Sequence, residues 1–455
     1  MNKLLKRVLM LGTLVVCLAT AAWAGNVEMD YLDGNMACDV IYAAEGYYMA
    51  SQEYSNTWAT YPDSKVTYNF YFDNDGAMTW GHSTSSLGTA TYRNDYDADG
   101  NLIKTVTTSN EDGVELSWET FTYDANGLLT QSHFYNSYKG GSAVEDNTYY
   151  YTYGDNKITV KEETSNPYGN DVVNYVYTLD ESGNIVSCDY QATDEDYSGT
   201  VTYTYDAKGN LTGLQYGDAG KFVFEYNDKD LCIKKTYVTD EGSENVTTYE
   251  YDEHGNVLKE VENNYSTYTL TYEAIPQGGS KSSFSDVSAK EYYNAPVIWA
   301  TETKITKGTG ATTFSPGKAC TRAQLVTFLW RAAGEPEPTS KTNPFTDVVE
   351  NDYYKAILWA VEKGITKGVA PGKFAPDATC TRAQIVTFIY RAAGEPEVTG
   401  TNPFTDVVKN DYYDAILWAV ENGITKGVAE NKFAPNKTCT RAEGVTFLYR
   451  GIGLY

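Results

Sequence analysis

Val201-Thr-Tyr-Thr-Tyr-Asp-Ala-Lys-Gly-Asn-Leu211 decides how the first half of the chain is read. Val201, Tyr203 and Tyr205 fall on one side of an extended backbone and Thr202 and Thr204 on the other, the period of a strand with two unlike faces. Asp206 starts a turn, because its short side chain bonds nearby backbone N–H groups, and Gly209 takes the positive φ. Leu211 restarts a strand, so the unit is a β-hairpin. It recurs at Asp95–Leu102, Phe121–Leu128 and Tyr249–Val257. Weaker copies lie at Tyr177–Ile185 and Phe72–Gly76, and degenerate ones at Tyr153–Ile158 and Tyr226–Leu231. The marking positions 73, 97, 124, 154, 180, 206, 227 and 252 are spaced by 21 to 30 residues. A single hairpin is marginal in water, so the copies must share a sheet.

Outward from this repeat the charge breaks in two. Residues 25–277 carry 43 Asp/Glu against 12 Lys/Arg, a net of −31, whereas residues 278–455 carry 18 against 20, a net of +2. Such a break marks two modules with different tasks. The whole chain of 455 residues has a net charge of −26, which disfavours nucleic-acid binding. Its three histidines leave little material for His-based metal or acid–base chemistry. At the start, Lys3, Lys6 and Arg7 precede an apolar run from Val8 to Ala22, and Ala22-Trp23-Ala24 supplies a small-x-small end. Residues 1–24 therefore read as a secretory signal peptide, its apolar run too short to span a bilayer comfortably.

The Y-D-x-x-G-N-L pattern of residues 25–277 resembles the YD repeat of the Rhs and teneurin class. That resemblance implies hairpins winding into a spiralling sheet; with eight or so copies, a closed shell is not expected. Two ligand readings stand beside the structural one. Asp95, Asp97, Asp99 and Gly100 mimic the start of a calcium loop, but Val106 stands where the bidentate Glu belongs. The tyrosine ladders suit sugar stacking, and Tyr is also simply a good strand residue. No pair of carboxylates is singled out by spacing, so no catalytic residue is assigned.

After the linker Ile275–Ser283, Phe-x-Asp-Val opens three repeats at Phe284, Phe345 and Phe404. Cys-Thr-Arg-Ala recurs from Cys320, Cys380 and Cys439. Each copy reads as two helices. Tyr353, Ala356, Ile357, Ala360 and Val361 form an apolar stripe that Gly364 stops. Thr381 and Gln384 then form a capping box, repeated by Thr321/Gln324 and Thr440/Glu443. The first copy is the least typical, with Pro296 and Lys304 where the others have Ile and Gly, and Gly444 replaces an apolar residue in the last helix.

The order F-x-D-V, Y-Y-x-A-I-x-W-A, G-I-T-K-G, F-x-P and T-R-A-E resembles the S-layer homology module, usually three in tandem. The resemblance implies a three-fold helical prism, grooves between copies, and anchoring through a secondary cell-wall polysaccharide, often bearing a pyruvate ketal. The candidate glycan contacts are Asp286, Trp299, Gly308 and Arg322 in the first copy, Asp347, Trp359, Gly368 and Arg382 in the second, and Asp406, Trp418, Gly427 and Arg441 in the third. Each Arg opens a helix, where free N–H groups also favour an anion. Each Asp can accept from sugar hydroxyls, and each Trp offers a ring. The plainer alternatives are salt bridges for the arginines and core packing for the tryptophans. Cys320, Cys380 and Cys439 share one slot and read as buried small hydrophobes, with a trigonal metal site as the alternative.

The expected architecture is thus multidomain α+β: signal peptide 1–24, an all-β hairpin-repeat sheet at 25–277, and helical repeats at 278–341, 342–400 and 401–455. The expected role is that of an exported, non-enzymatic cell-wall surface protein, without cofactor or metal, displaying the β module. The rival is a surface-anchored glycan-active enzyme with its site in that module.

Overall fold

The computed structural model describes residues 27–29, 38–40, 43 and 47–451, the last span without 57–63, 74, 86–87, 98, 110–114, 138–143, 167–168, 194–197, 264 and 341. The expected signal peptide lies outside the described residues. Backbone contacts divide the chain into residues 1–279 and 280–455.

In the first unit β1 (Val27–Met29) and β2 (Cys38–Val40) pair as a small ribbon. The strands from β3 (Tyr47–Asn56) to β20 (Ser266–Ala274) then form one antiparallel barrel of 18 strands. Sequence neighbours pair throughout, and β20 closes the ring against β3, from Tyr47↔Ala274 to Asn56↔Ser266. The open spiral expected from the YD resemblance is therefore corrected to a closed ring. Closure pairs the two outermost strands of the barrel, which removes the aggregation-prone edges an open sheet would expose.

The turn chemistry explains the repeat. Asp206 Oδ1 accepts from the amides of Lys208 (2.8 Å) and Asn210 (2.9 Å), and Oδ2 accepts from Asn210 Nδ2 (3.0 Å). The same set recurs at Asp97, Asp180 and Asp252. The Tyr before the turn has its own task. Tyr205 donates its hydroxyl to the carbonyl of Ile185 (2.8 Å), Tyr226 to Leu211 (2.7 Å) and Tyr153 to Leu129 (2.9 Å). Tyr96, Tyr123 and Tyr251 do likewise with Met78, Leu102 and Cys232. Each acceptor is the first strand residue after the preceding turn. Phe could fill the same space but could not tie one hairpin to the last.

Residues from Met49 on β3 through Phe121, Tyr151, Tyr177 and Val201 to Leu270 on β20 form one buried cluster, and Tyr48, Phe70, Phe72, Met78 and Tyr92 form a second. In β14 (Ser198–Tyr205), Val201 and Tyr203 are buried while Thr200, Thr202 and Thr204 are exposed. The outer face carries ion pairs such as Lys234–Glu225 (2.7 Å) and Lys259–Glu250 (3.3 Å).

The second unit holds α1 (Asn294–Glu302), α2 (Arg322–Ala332), α3 (Tyr354–Glu362), α4 (Arg382–Ala392), α5 (Tyr413–Glu421) and α6 (Arg441–Arg450). The second helix of each repeat begins with the expected capping box. Helices pack across repeats: α2 on α3, α4 on α5, and α6 back on α1. At the centre the three equivalent cysteines hydrogen-bond in a ring, Cys320 N to Cys439 O, Cys380 N to Cys320 O and Cys439 N to Cys380 O, each 2.9 Å. Their side chains are buried and unbridged. Burial pushes the Cys320 and Cys380 thiols up to about 12 and raises Cys439 as well. Among the described residues no cluster of His, Cys, Asp and Glu side chains is arranged to hold a metal ion.

Candidate functional site: the grooves between helical repeats

Each repeat-opening Arg sits at the start of a second helix, as the sequence places it, but its neighbours alter its role. The amides of Arg322 and Ala323 donate to the carbonyls of Ala378 and Pro376, and those of Gln324 and Leu325 to Thr321. The other two helices repeat this. The expectation of free N–H groups for an anion is therefore corrected: all four first-turn amides of each helix are engaged by protein.

The guanidinium groups tie the repeats together. Arg322 donates from Nε to the Phe374 carbonyl (2.9 Å) and from Nη2 to Thr366 Oγ1 (3.3 Å). Arg382 does the same with Phe433 and Thr425, and Arg441 with Phe314 and Thr306. Each arginine thus reaches into the next repeat, and the third returns to the first. Each lies between two rings, Arg322 between Phe374 and Phe388, for example. All three are nearly buried, at 4%, 2% and 2% exposure. Burial in this setting pulls Arg322 and Arg441 below the ordinary guanidinium value.

The remaining nitrogen separates the grooves. Arg382 Nη1 donates to Glu443 Oε1 (3.1 Å). Among the described residues, Arg322 and Arg441 donate only from Nε and Nη2, and Nη1 has no partner. Tyr412 stands within electrostatic reach of Arg322, and Tyr353 of Arg441. These half-buried rings were not among the sequence candidates, although the Tyr-Tyr pair of each repeat was the available signal.

The other candidates are placed as follows. Asp286 accepts from the amides of Phe314 (2.8 Å) and Ser315 (2.7 Å), Asp347 from Phe374 and Ala375, and Asp406 from Phe433 and Ala434. The Phe374 amide is the main cause holding Asp347 below the ordinary carboxylate range; for Asp286 and Asp406 burial opposes and the loop amides prevail. These carboxylates fix the groove loop. Trp299, Trp359 and Trp418 are buried at 4%, 6% and 3%, with Trp299 edge-on to Tyr449 at 5.7 Å and Trp418 tilted against Tyr390 at 5.5 Å. They pack helix pairs together and offer no open ring face. Gly308, Gly368 and Gly427 have φ of +78°, +85° and +90°. A Cβ at any of them would collide with the following loop carbonyl and the opening Phe ring.

In the barrel, Asp97 is engaged by its own turn and Asp95 pairs with Arg93 (3.1 Å), so the calcium-like run forms an ordinary hairpin. The buried Glu162 accepts from the hydroxyls of Tyr149 (3.0 Å) and Tyr175 (2.9 Å). A row on the strand face opposite Phe70, Tyr92 and Phe121, made of Trp80, Arg93, Val106, Trp118 and Tyr135, runs in register across five strands, and its first three residues are buried. The sequence reading had placed the aromatic ladder in the tyrosines alone.

The S-layer homology domain family matches residues 283–326, 344–386 and 403–443. The chain is 34% identical over 167 residues to an endoglucanase of Bacillus sp. (strain KSM-635), covering 35% of this chain and 18% of that protein. It is 43% identical over 95 residues to the surface-layer 125 kDa protein of Lysinibacillus sphaericus, covering 21% and 8%. It is 30% identical over 137 residues to the middle cell wall protein of Brevibacillus brevis, covering 29% and 13%. The chain therefore spans less than a fifth of the length of these curated relatives. A porin-like protein from Bacteroides uniformis aligns with 50% of this chain and 96% of its own at 13% identity and a TM-score of 0.27, a likeness too slight to bear on fold or function. The YD-repeat resemblance gains no support from these relatives. Residues 283–443 comprise three S-layer homology domains, and the protein belongs at the cell-wall surface.

Proposed function

We propose that the three helical domains hold the exported chain on the wall by seating an acidic group of a secondary wall polysaccharide between repeats, and that the barrel is displayed rather than catalytic. The observation that carries this reading is a nearly buried guanidinium in each repeat, locked by Nε and Nη2 to the next repeat, with Nη1 of Arg322 and Arg441 left for a ligand. A pyruvate ketal would supply the matching carboxylate on a sugar. Arg322, Arg382 and Arg441 line the grooves, Gly308, Gly368 and Gly427 let the loop pass close, and Asp286, Asp347 and Asp406 hold that loop. Linked grooves act together, so modest affinities sum to firm retention. The buried Glu162, bound by two tyrosine hydroxyls, favours display over hydrolysis.

Alanine at all three arginines is a poor test, because it also unties the repeats. Sedimentation of the full chain with purified walls is better, before and after the secondary polymer is stripped. Retention should fall at least tenfold on stripped walls. Equal retention on bare peptidoglycan would refute the reading, and hydrolysis of a wall glycan by the full chain would refute the display role.

A further inference from the structure

The barrel gathers its scarcest residues on one wall. Residues 25–277 contain a single arginine, Arg93, and three tryptophans, and the whole chain has three histidines. Strand pairing brings Trp80, His82, Arg93, Trp118 and His133 to one face of β5 (Met78–Thr84), β6 (Thr89–Tyr96), β7 (Leu102–Ser109), β8 (Glu115–Tyr123) and β9 (Leu129–Ser137). On β14 the same face carries Thr200, Thr202 and Thr204. Trp80 and Arg93, at 1% and 2% exposure, are the buried end of this patch, and no acceptor meets the Trp80 indole N–H. A buried donor without an acceptor costs about 1–3 kcal/mol, a cost that selection for stability alone would remove.

The other end is half-exposed. Trp118 and Tyr135 lie parallel, 16° apart, with ring centroids at 5.2 Å. Lys104 Nζ stands 5.6 Å over the Trp118 ring, and His133 meets the edge of that ring at 4.9 Å. His133 Nε2 bonds Asp146 Oδ1 (2.5 Å) on β10 (Val144–Gly154), and the Asp146 side chain is 44% exposed.

We propose that this half-exposed end is a binding site for a neutral glycan. The aromatic pair gives the C–H face of a sugar an apolar ridge. Lys104 donates to hydroxyl oxygens, Asp146 accepts from hydroxyl groups, and His133 holds Asp146 in place. Neighbouring strands lie about 4.8 Å apart, so the stretch from β8 to β10 spans about 10 Å, the length of a disaccharide. The Arg93–Asp95 pair cancels its own charge, and the surrounding module, at a net of −31, repels anions. An uncharged sugar chain therefore fits better than an acidic one. The site rests on the display role proposed above: the barrel holds the glycan and does not cut it.

The test is calorimetric titration of the full chain with neutral β-1,4-linked trimers of glucose, mannose, xylose and N-acetylglucosamine, beside a trimer of galacturonic acid. At least one neutral trimer should bind. Trp118→Ala and Asp146→Asn should each weaken it roughly tenfold or more. Asp146→Asn keeps the shape of the side chain and serves where Trp118→Ala lowers the barrel's melting temperature. Tyr265→Ala, at an exposed tyrosine outside the patch, should leave affinity unchanged. Unchanged affinity in both patch variants, an equal loss in Tyr265→Ala, or tighter binding of the uronate trimer would overturn the proposal. If no neutral trimer binds and all stay intact, the site fails and the display role stands. If a trimer is shortened on incubation, the display role fails and takes the proposal with it.

Discussion

The barrel and the helical prism solve the same problem with different tolerances. Each is a repeat that cannot bury its apolar face alone, and each closes so that its last element grasps its first. In the barrel β20 pairs with β3; in the prism Arg441 reaches Phe314 and Thr306. The barrel's hairpins are joined by ladder hydrogen bonds and, at six of the eight marking positions, one tyrosine hydroxyl, so spacings of 21 to 30 residues are accommodated in the loops. The prism must bring three cysteines to one hydrogen-bonded ring, and its arginines lie 60 and 59 residues apart. A closed sheet forgives length, whereas a three-fold axis does not.

The closing contacts should matter most, and in both modules. Leu270→Ala, on the barrel's last strand, should cost about 3 kcal/mol, because a buried leucine is lost from the central cluster. Arg441→Ala should cost about 3 kcal/mol in the helical transition alone, from the orphaned Phe314 carbonyl and the lost packing between Phe314 and Phe328. Thermal melts followed at a β and at a helical circular-dichroism wavelength separate the two. Should either change shift both transitions equally, the two rings do not unfold independently.

Glycines sharpen the contrast within one repeat. Gly364→Ala faces open space at φ +73° and should cost about 1–2 kcal/mol. Gly368→Ala adds a collision with Phe345 and the Lys373 carbonyl and should cost clearly more. Equal melting temperatures for the two variants would contradict the close approach.

Smaller effects test the hairpin rule. Tyr205→Phe should lose about 1 kcal/mol by leaving the Ile185 carbonyl unpaired. In the prism Gly444→Ala should gain about 0.5–1 kcal/mol, since its Cβ would meet Cys320 and Ile385 at an ordinary 3.8 Å. The turn aspartates add a pH signature. Asp206 is held below the ordinary carboxylate value, chiefly by the Asn210 amide. A depressed folded value stabilises above the unfolded value, near 3.9, and is lost as pH falls through the folded one. Asp206→Asn, which copies the natural Asn227 turn, should therefore flatten the acid limb of barrel unfolding.

The hairpins were legible because their cause is local: Asp, Gly and Asn act within one turn. Closure was not, since residues 47–56 and 266–274 carry no mark of each other beyond ordinary strand alternation. The tyrosine of Y-D was read correctly as a strand residue, but its hydroxyl partner lies one hairpin back. In the prism the period and capping boxes were readable to the residue. What the spacing could not say was whom each side chain faces. The aspartates accept from loop amides, which the spacing did not announce, and the tryptophans pack between helices. The Gln/Glu difference at 324, 384 and 443 was visible in the sequence, but the contact of Glu443 with Arg382 was not.

The account stands most directly on whether an acidic group of the wall polymer is what the prism grips. The deciding measurement is retention of the full chain on purified walls from which ketal-linked carboxylates have been removed by mild acid, the polymer backbone being left in place. The account predicts that retention falls at least tenfold and that a soluble ketal glycoside releases chain from untreated walls. Undiminished retention on the treated walls would contradict it.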